Sequence, residues 1–191
     1  MSASSQPTFR IRSFVVRGGR GTSGQIRAMR EVWPTVGLEL AGGLVNFTVA
    51  FGREAPTFLE IGFGSGTTLL AAAADHPDKN FIGVETHRPG MGAMLMGMEE
   101  QALSNIRAFK VDVIDVLAEC IPDNSLDGVQ IFFPDPWQKR RHFERRLVQP
   151  DFLRTMARVL KAGGSLHLAT DWEDYAKHML RVVTDSSQFE N

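Results

Sequence analysis

From residue 57 onward, short apolar runs alternate with longer amphipathic stretches, and this alternation restricts the possible folds more than any other feature of the chain. The spacing predicts strands at Thr57–Ile61, Phe81–Glu85, Ile106–Val111, Gly128–Phe133 and Ser165–Thr170. Between them it predicts helices near 66–75, 90–103, 115–120, 150–161 and 172–186. Strand then helix, repeated, specifies an α/β fold: a Rossmann-like, doubly wound, mostly parallel sheet covered on both faces. The run Val129-Gln130-Ile131-Phe132-Phe133 suits a central strand buried on both sides. Upstream, residues 25–33 predict a short helix stopped by Pro34. Residues 1–24 predict a flexible basic arm ending in Gly18-Gly19-Arg20-Gly21. The expected organisation is that arm followed by one domain, 25–191, which fits a length of 191 residues.

The single cysteine, Cys120, excludes an internal disulfide and a cysteine zinc cluster, and it fits a reducing, cytoplasmic setting. Five scattered histidines give no reason to expect a metal. Met1–Thr8 is polar and lacks the apolar segment of a secretory signal, and no apolar run reaches membrane-spanning length. Net charge is only −1, yet its distribution is uneven. Residues 1–30 carry six arginines (Arg10, Arg12, Arg17, Arg20, Arg27, Arg30) and no acid, and residues 139–146 carry +4. The remainder therefore holds −11. Charge segregated in this way can present a basic face to a nucleic acid on an otherwise neutral protein. Monomer and homodimer both stay open.

Ligands of doubly wound sheets sit beyond the carboxyl ends of the strands, so the residues just after each strand are informative. Glu60 precedes the loop Gly62-Phe63-Gly64-Ser65-Gly66, Glu85 ends the second strand, and Asp112 comes after the third. Pro134-Asp135-Pro136-Trp137 comes after the fourth strand and Asp171-Trp172 after the fifth. Every strand thus has a carboxylate at or near its end. Asp115 and Asp171 read first as helix caps.

The glycine loop lets the backbone turn tightly and approach a ligand. A dinucleotide site has the spacing G-x-G-x-x-G, whereas here the third glycine arrives one residue early. Glu60 would also sit badly beside a pyrophosphate. It would suit a cationic ligand such as S-adenosylmethionine, which carries an ammonium and a sulfonium. Glu85 lies 23 residues after Gly62, the usual distance for an acid accepting from ribose hydroxyls. Asp112 is placed to meet an adenine edge, or to cap a helix. In Pro134-Asp135-Pro136-Trp137 two prolines stiffen the backbone around one acid, and Trp137 offers a ring able to stack on a base. The basic run starting at Lys139 could hold nearby phosphates. The methionines at 91, 94, 96 and 98 read as helix packing, and Trp172 as either a ligand cover or core.

The stretches F-L-E-I-G-F-G-S-G, F-I-G-V-E, F-F-P-D-P-W-Q-K-R-R-H and A-T-D-W, together with R-I-R-S-F-V-V-R-G-G-R near the start, resemble the bacterial tRNA (guanine-N7)-methyltransferases over nearly all of residues 10–186. The resemblance implies a class I methyltransferase fold acting on a guanine of the tRNA variable loop. It implies that Glu60, Glu85, Asp112 and Asp135, with Gly62, Gly64 and Gly66, form the S-adenosylmethionine site, and that Asp135 is the active-site acid. It implies substrate contacts from Lys139 and Asp171, and RNA contacts from Arg141, His142, Phe143, Glu144, Arg145 and Arg146. Arg145 and Arg146 are therefore expected to supply salt-sensitive tRNA affinity. The family pattern continues with two more strands and a T-x-x-E motif beyond Asn191, so a C-terminally truncated domain with an exposed sheet edge is expected. Thr86 stands where the family commonly has an aliphatic residue. The competing expectations are a base-amino RNA methyltransferase, a nicotinamide-dependent oxidoreductase and a non-catalytic tRNA-binding module.

Overall fold

The computed structural model describes residues 19–190. Arg10, Arg12, Arg17 and the rest of residues 1–18 lie outside the described residues. The first helix, α1 (Ser23–Glu31), starts inside the stretch expected to be an arm. Thr22 and Gln25 close a reciprocal capping box there, satisfying two otherwise orphaned amide donors. Pro34 does not stop this helix. It occupies the first turn of a second one, α2 (Trp33–Val36), where a missing N–H costs nothing.

Next along the chain are β1 (Gly37–Leu38), a 3₁₀ turn (Leu40–Gly42), α3 (Phe47–Phe51), β2 (Thr57–Ile61) and α4 (Thr67–Asp75). Then come β3 (Asn80–Val84), α5 (Arg88–Glu100), β4 (Ile106–Phe109), α6 (Val113–Glu119) and β5 (Leu126–Phe132). A second 3₁₀ segment (Arg140–Arg145) precedes α7 (Pro150–Val159), β6 (Leu160–Ala169) and α8 (Glu173–Thr184). The strands form one parallel sheet in the order β1-β4-β3-β2-β5-β6. All five expected strands are present. The two-residue β1 was not expected, and β6 begins five residues earlier than expected, after an irregular register at Leu126/Gly128. β6 is the sheet edge among the described residues.

Alternation along β2 and β3 divides the core in two. Leu59, Ile61, Ile82 and Val84 face α6, α7 and α8, where Val116, Met156 and Tyr175 are fully buried. Phe81 faces the other layer, built from Ala28, Leu69, Met91, Met94 and Leu95 of α1, α4 and α5. The methionines of α5 are packing residues: Met91, Met94 and Met98 are buried, and Met96 lies against Gly24 of α1. α7 shows why a sequence of this kind becomes a surface helix. Phe152, Leu153, Met156 and Val159 fall on one inward stripe, while Asp151 and Arg154 pair on the outside. Each such buried side chain contributes about 1.5–3 kcal/mol from removing apolar surface from water.

Candidate active site

The chain runs from β2 outward through β3 and β4, then returns to place β5 on the other flank of β2. At this reversal the carboxyl ends of β2, β3, β4 and β5 surround a cavity of about 310 Å³. Gly62, Gly64, Glu85 and Val111 line it together with Phe133, Pro134 and Asp135. Gly62, Gly64 and Gly66 all have positive φ, and above Gly62 and Gly64 nothing lies within 4 Å of where a Cβ would be. The loop is thus bare backbone facing open space.

The carboxylate of Glu85 fixes the shape of that loop. Its Oε2 accepts from the Gly64 N–H at 2.9 Å, and its Oε1 accepts from the Thr86 and His87 N–H groups at 2.6 and 2.8 Å. The side chain of Thr86 is not needed for this, so its departure from the family pattern leaves the arrangement intact. From the other side, α5 abuts the loop at Gly90, where a Cβ would lie 2.1 Å from the Gly64 carbonyl oxygen. Only a residue without a side chain permits that approach. His87 caps α5 by accepting the Gly90 N–H at Nδ1, and it also lines the cavity. Sequence reasoning missed His87 and Gly90. The signal available was Glu85-Thr86-His87-Arg88-Pro89-Gly90, a strand end running into a helix with proline in its first turn.

Glu60 and Asp112 stand beside the cavity wall rather than in it. Asp112 caps α6 by accepting the Ile114 N–H at 3.1 Å, while its neighbours Val111 and Val113 line the cavity. Asp115, one of two residues read first as caps, lies within the first turn of α6. Glu60 is 4% exposed, and its Oε2 has no hydrogen-bond partner among the described residues. Burial pushes its carboxyl up to about 7. A buried acid with one unused oxygen, beside open glycine backbone, fits a ligand that brings a cation. It does not fit a pyrophosphate.

The loop after β5 is held from below. Arg146, expected to touch RNA, is instead 2% exposed. Its Nε donates to the Pro136 carbonyl oxygen at 2.9 Å and its NH2 group pairs with Asp174 of α8 at 2.6 Å. Its guanidinium lies 3.7 Å from the Phe143 ring centre and 4.8 Å from that of Tyr175. Planarity and five fixed donors let arginine satisfy all of these at once, which lysine cannot. Tyr175 and His178 of α8 secure the next segment: the Tyr175 hydroxyl accepts from the Val148 N–H, and His178 Nε2 donates to the Val148 carbonyl. Replacing Arg146 with Ala is expected to cost about 2 kcal/mol or more, from two charge-assisted hydrogen bonds and two ring contacts. Thermal melting checks this, and an unchanged melting temperature contradicts the clamp.

Trp137, with φ of +45°, is covered by the Arg145 guanidinium at 3.9 Å and tilts against His142 at 5.7 Å. Desolvation first, then the charges of Arg141, Arg145 and Lys139, hold the His142 imidazole below its usual range. Phe143 is half-buried, and Lys139, Arg141 and Glu144 are exposed. Asp171, the other residue read first as a cap, is exposed at the start of α8, which has no side-chain cap. Among the described residues no three His, Cys, Asp or Glu side chains are grouped to hold a metal, and no helix is long and apolar enough to cross a membrane.

Residues 54–191 match the family described as "Putative methyltransferase". The tRNA (guanine-N(7)-)-methyltransferase of Idiomarina loihiensis is 54% identical over 181 residues, covering 95% of this chain and 74% of that protein. The protein of the same name from Shewanella amazonensis is 52% identical, with 95% and 76% covered. Among solved structures, the precorrin-6y C5,15-methyltransferase of Geobacter metallireducens superposes with a TM-score of 0.55 at 16% identity, covering 73% of this chain and 69% of that one. At that identity the likeness concerns the fold.

Proposed function

Because the chain belongs to the family of tRNA (guanine-N(7)-)-methyltransferases, we propose that it transfers a methyl group from S-adenosylmethionine to N7 of a guanine in the variable loop of tRNA, in the cytoplasm. The observation that carries this reading is the cavity at the strand reversal, which the bare glycine loop and Asp135 line together. Glu60, Glu85 and Asp112, with Gly62, Gly64 and Gly66, would hold the cofactor. The unused Glu60 oxygen suits the ammonium group, and Glu85 keeps about one lone-pair site, on Oε2, for a ribose hydroxyl beyond the three given to backbone amides. When bound, S-adenosylmethionine supplies an electrophilic methyl group on a sulfonium.

Guanine N7 carries a free lone pair at neutral pH, so no proton has to leave it. The purine gains positive charge as the new N–C bond forms. Asp135 accepts hydrogen bonds from the guanine edge and offsets that charge, as preorganised electrostatic stabilisation. Its aim is set by the flanking prolines and by the Arg146 bond to the Pro136 carbonyl. Much of the acceleration comes from alignment, since the nucleophile, methyl carbon and leaving sulfur must be collinear. Lys139, Arg141, Glu144 and Asp171, all exposed, serve as substrate contacts. Arg145 and His142 act through their hold on Trp137.

The test is transfer of labelled methyl from S-adenosylmethionine to unmodified tRNA, with subsequent nucleoside mapping. Label in 7-methylguanosine is expected. Label in an amino-methylated base would replace this reading with amino-group chemistry, and tight tRNA binding without transfer would leave a binding module. Replacing Arg141 with Ala is expected to weaken tRNA binding evenly across tRNAs and to lower the salt slope by about one, as for one lost phosphate contact. Binding titrations at several salt concentrations check this. A slope equal to the parent's removes Arg141 from the interface.

A further inference from the structure

Phe133 is the last residue of the strand-to-loop transition after β5. Its N–H is fixed to the Ala169 carbonyl oxygen of β6 at 2.9 Å, and the backbone then turns into the left-handed region with φ of +52°. A bulky aromatic residue seldom adopts that conformation, and strain of this kind concentrates at functional sites. The strain yields no packing, because the ring is 65% exposed and makes no ring or cation contact among the described residues. Trp137, four residues on, is also left-handed, but its ring is already covered by Arg145. Two strained aromatics thus bracket Pro134-Asp135-Pro136, and only the first has a free ring. Phe133 borders the same cavity as Asp135.

We propose that the ring of Phe133 is the platform on which the target purine lies while its edge meets Asp135. This extends the N7 reading, since it presumes that a base enters the cavity. A base that leaves its own stack loses contact with its neighbours, and an exposed ring at the mouth replaces that contact in a sequence-tolerant way. The left-handed turn aims the ring outward instead of into the sheet. Trp137 already carries a guanidinium on one face, whereas the Phe133 ring carries none among the described residues.

Three variants test the proposal, each measured for kcat/KM on unmodified tRNA, for tRNA affinity with S-adenosylhomocysteine bound, for S-adenosylhomocysteine affinity alone, and for melting temperature. Phe133→Leu keeps an apolar side chain but removes the aromatic face. It is expected to lower kcat/KM and tRNA affinity by about ten- to a hundredfold, the size of a lost base–aromatic stack. Affinity for S-adenosylhomocysteine is expected to stay within about twofold of the parent. Phe133→Tyr is expected to keep both tRNA readouts. Phe133→Gly relieves the backbone, so it is expected to lose the tRNA readouts while its melting temperature holds or rises by up to about 4 °C. Unchanged tRNA readouts in Phe133→Leu overturn the platform, and so does a parallel loss of S-adenosylhomocysteine affinity. A parent protein that binds tRNA but forms no 7-methylguanosine sinks the N7 reading instead, and the tRNA affinities of the variants still decide the platform.

Discussion

Asp135→Asn is expected to lower kcat for methyl transfer by about 10²–10³-fold, the loss that accompanies removal of one preorganised group from a developing charge. The substitution preserves shape and keeps an acceptor oxygen, so the KM for tRNA should change little. Pro134, Pro136 and the Arg146 bond to the Pro136 carbonyl, which stiffen the loop, are unaltered by the substitution. A variant that instead kept kcat and raised the KM for tRNA would make Asp135 a binding residue and discard the electrostatic role.

The second large effect concerns Glu60. Its carboxyl is raised to about 7 in the fold from 4.5, and burial is the cause. Between those values the folded protein holds a proton that the unfolded chain has released. The group therefore favours the fold fully below about pH 4.5, and that contribution is lost as pH rises to about 7. Above pH 7 the buried anion costs about 3 kcal/mol relative to a neutral side chain. Glu60→Gln is accordingly expected to stabilise the protein without ligand by roughly that amount at pH 8 and by little at pH 4.5. Denaturant titrations at the two pH values check this, and a gain that does not vary with pH would locate its cause elsewhere. The same variant should bind S-adenosylhomocysteine less tightly at pH 8, by about ten- to a hundredfold, because its ammonium group loses the carboxylate. Stability and ligand affinity then move in opposite directions, the usual trade at a site built for a charged partner.

The central sheet was legible because β2 to β5 are near-continuous apolar runs separated by long amphipathic stretches, a pattern few other folds produce. What escaped was short or compensated. β1 is two residues, Gly37 and Leu38, too brief to show a period. Pro34 was read as a stop because a proline inside a helix and a proline opening one look alike in sequence. The helix expected over 150–161 ends at Val159, and Lys161-Ala162-Gly163-Gly164 form the irregular stretch between the Leu126–Leu160 and Gly128–Ser165 pairs, a bulge that only the pairing on either side makes part of a strand. At the site, the positions of Glu60, Glu85, Asp112 and Asp135 could be read from strand ends, yet their present partners could not. Glu85 and Asp112 engage backbone amides, which no side-chain pattern reveals. Arg146 misled most, since a run of arginines reads as a solvated face. Phe143 three residues before it and the apolar Leu147-Val148 after it were the available sign that this one turns inward.

The reversal of strand order also separates two sockets along the chain. Wall residues from Ile61 to Val113 all precede β5, and those from Ile131 to Leu147 all belong to β5 and the segment after it. On the roles proposed above, selection can rewrite the second block, and with it the acceptor, while the first block, assigned to the methyl donor, stays unchanged. A scaffold divided in this way is suited to being retargeted, because a new acceptor requires changes in one contiguous stretch and none in the other.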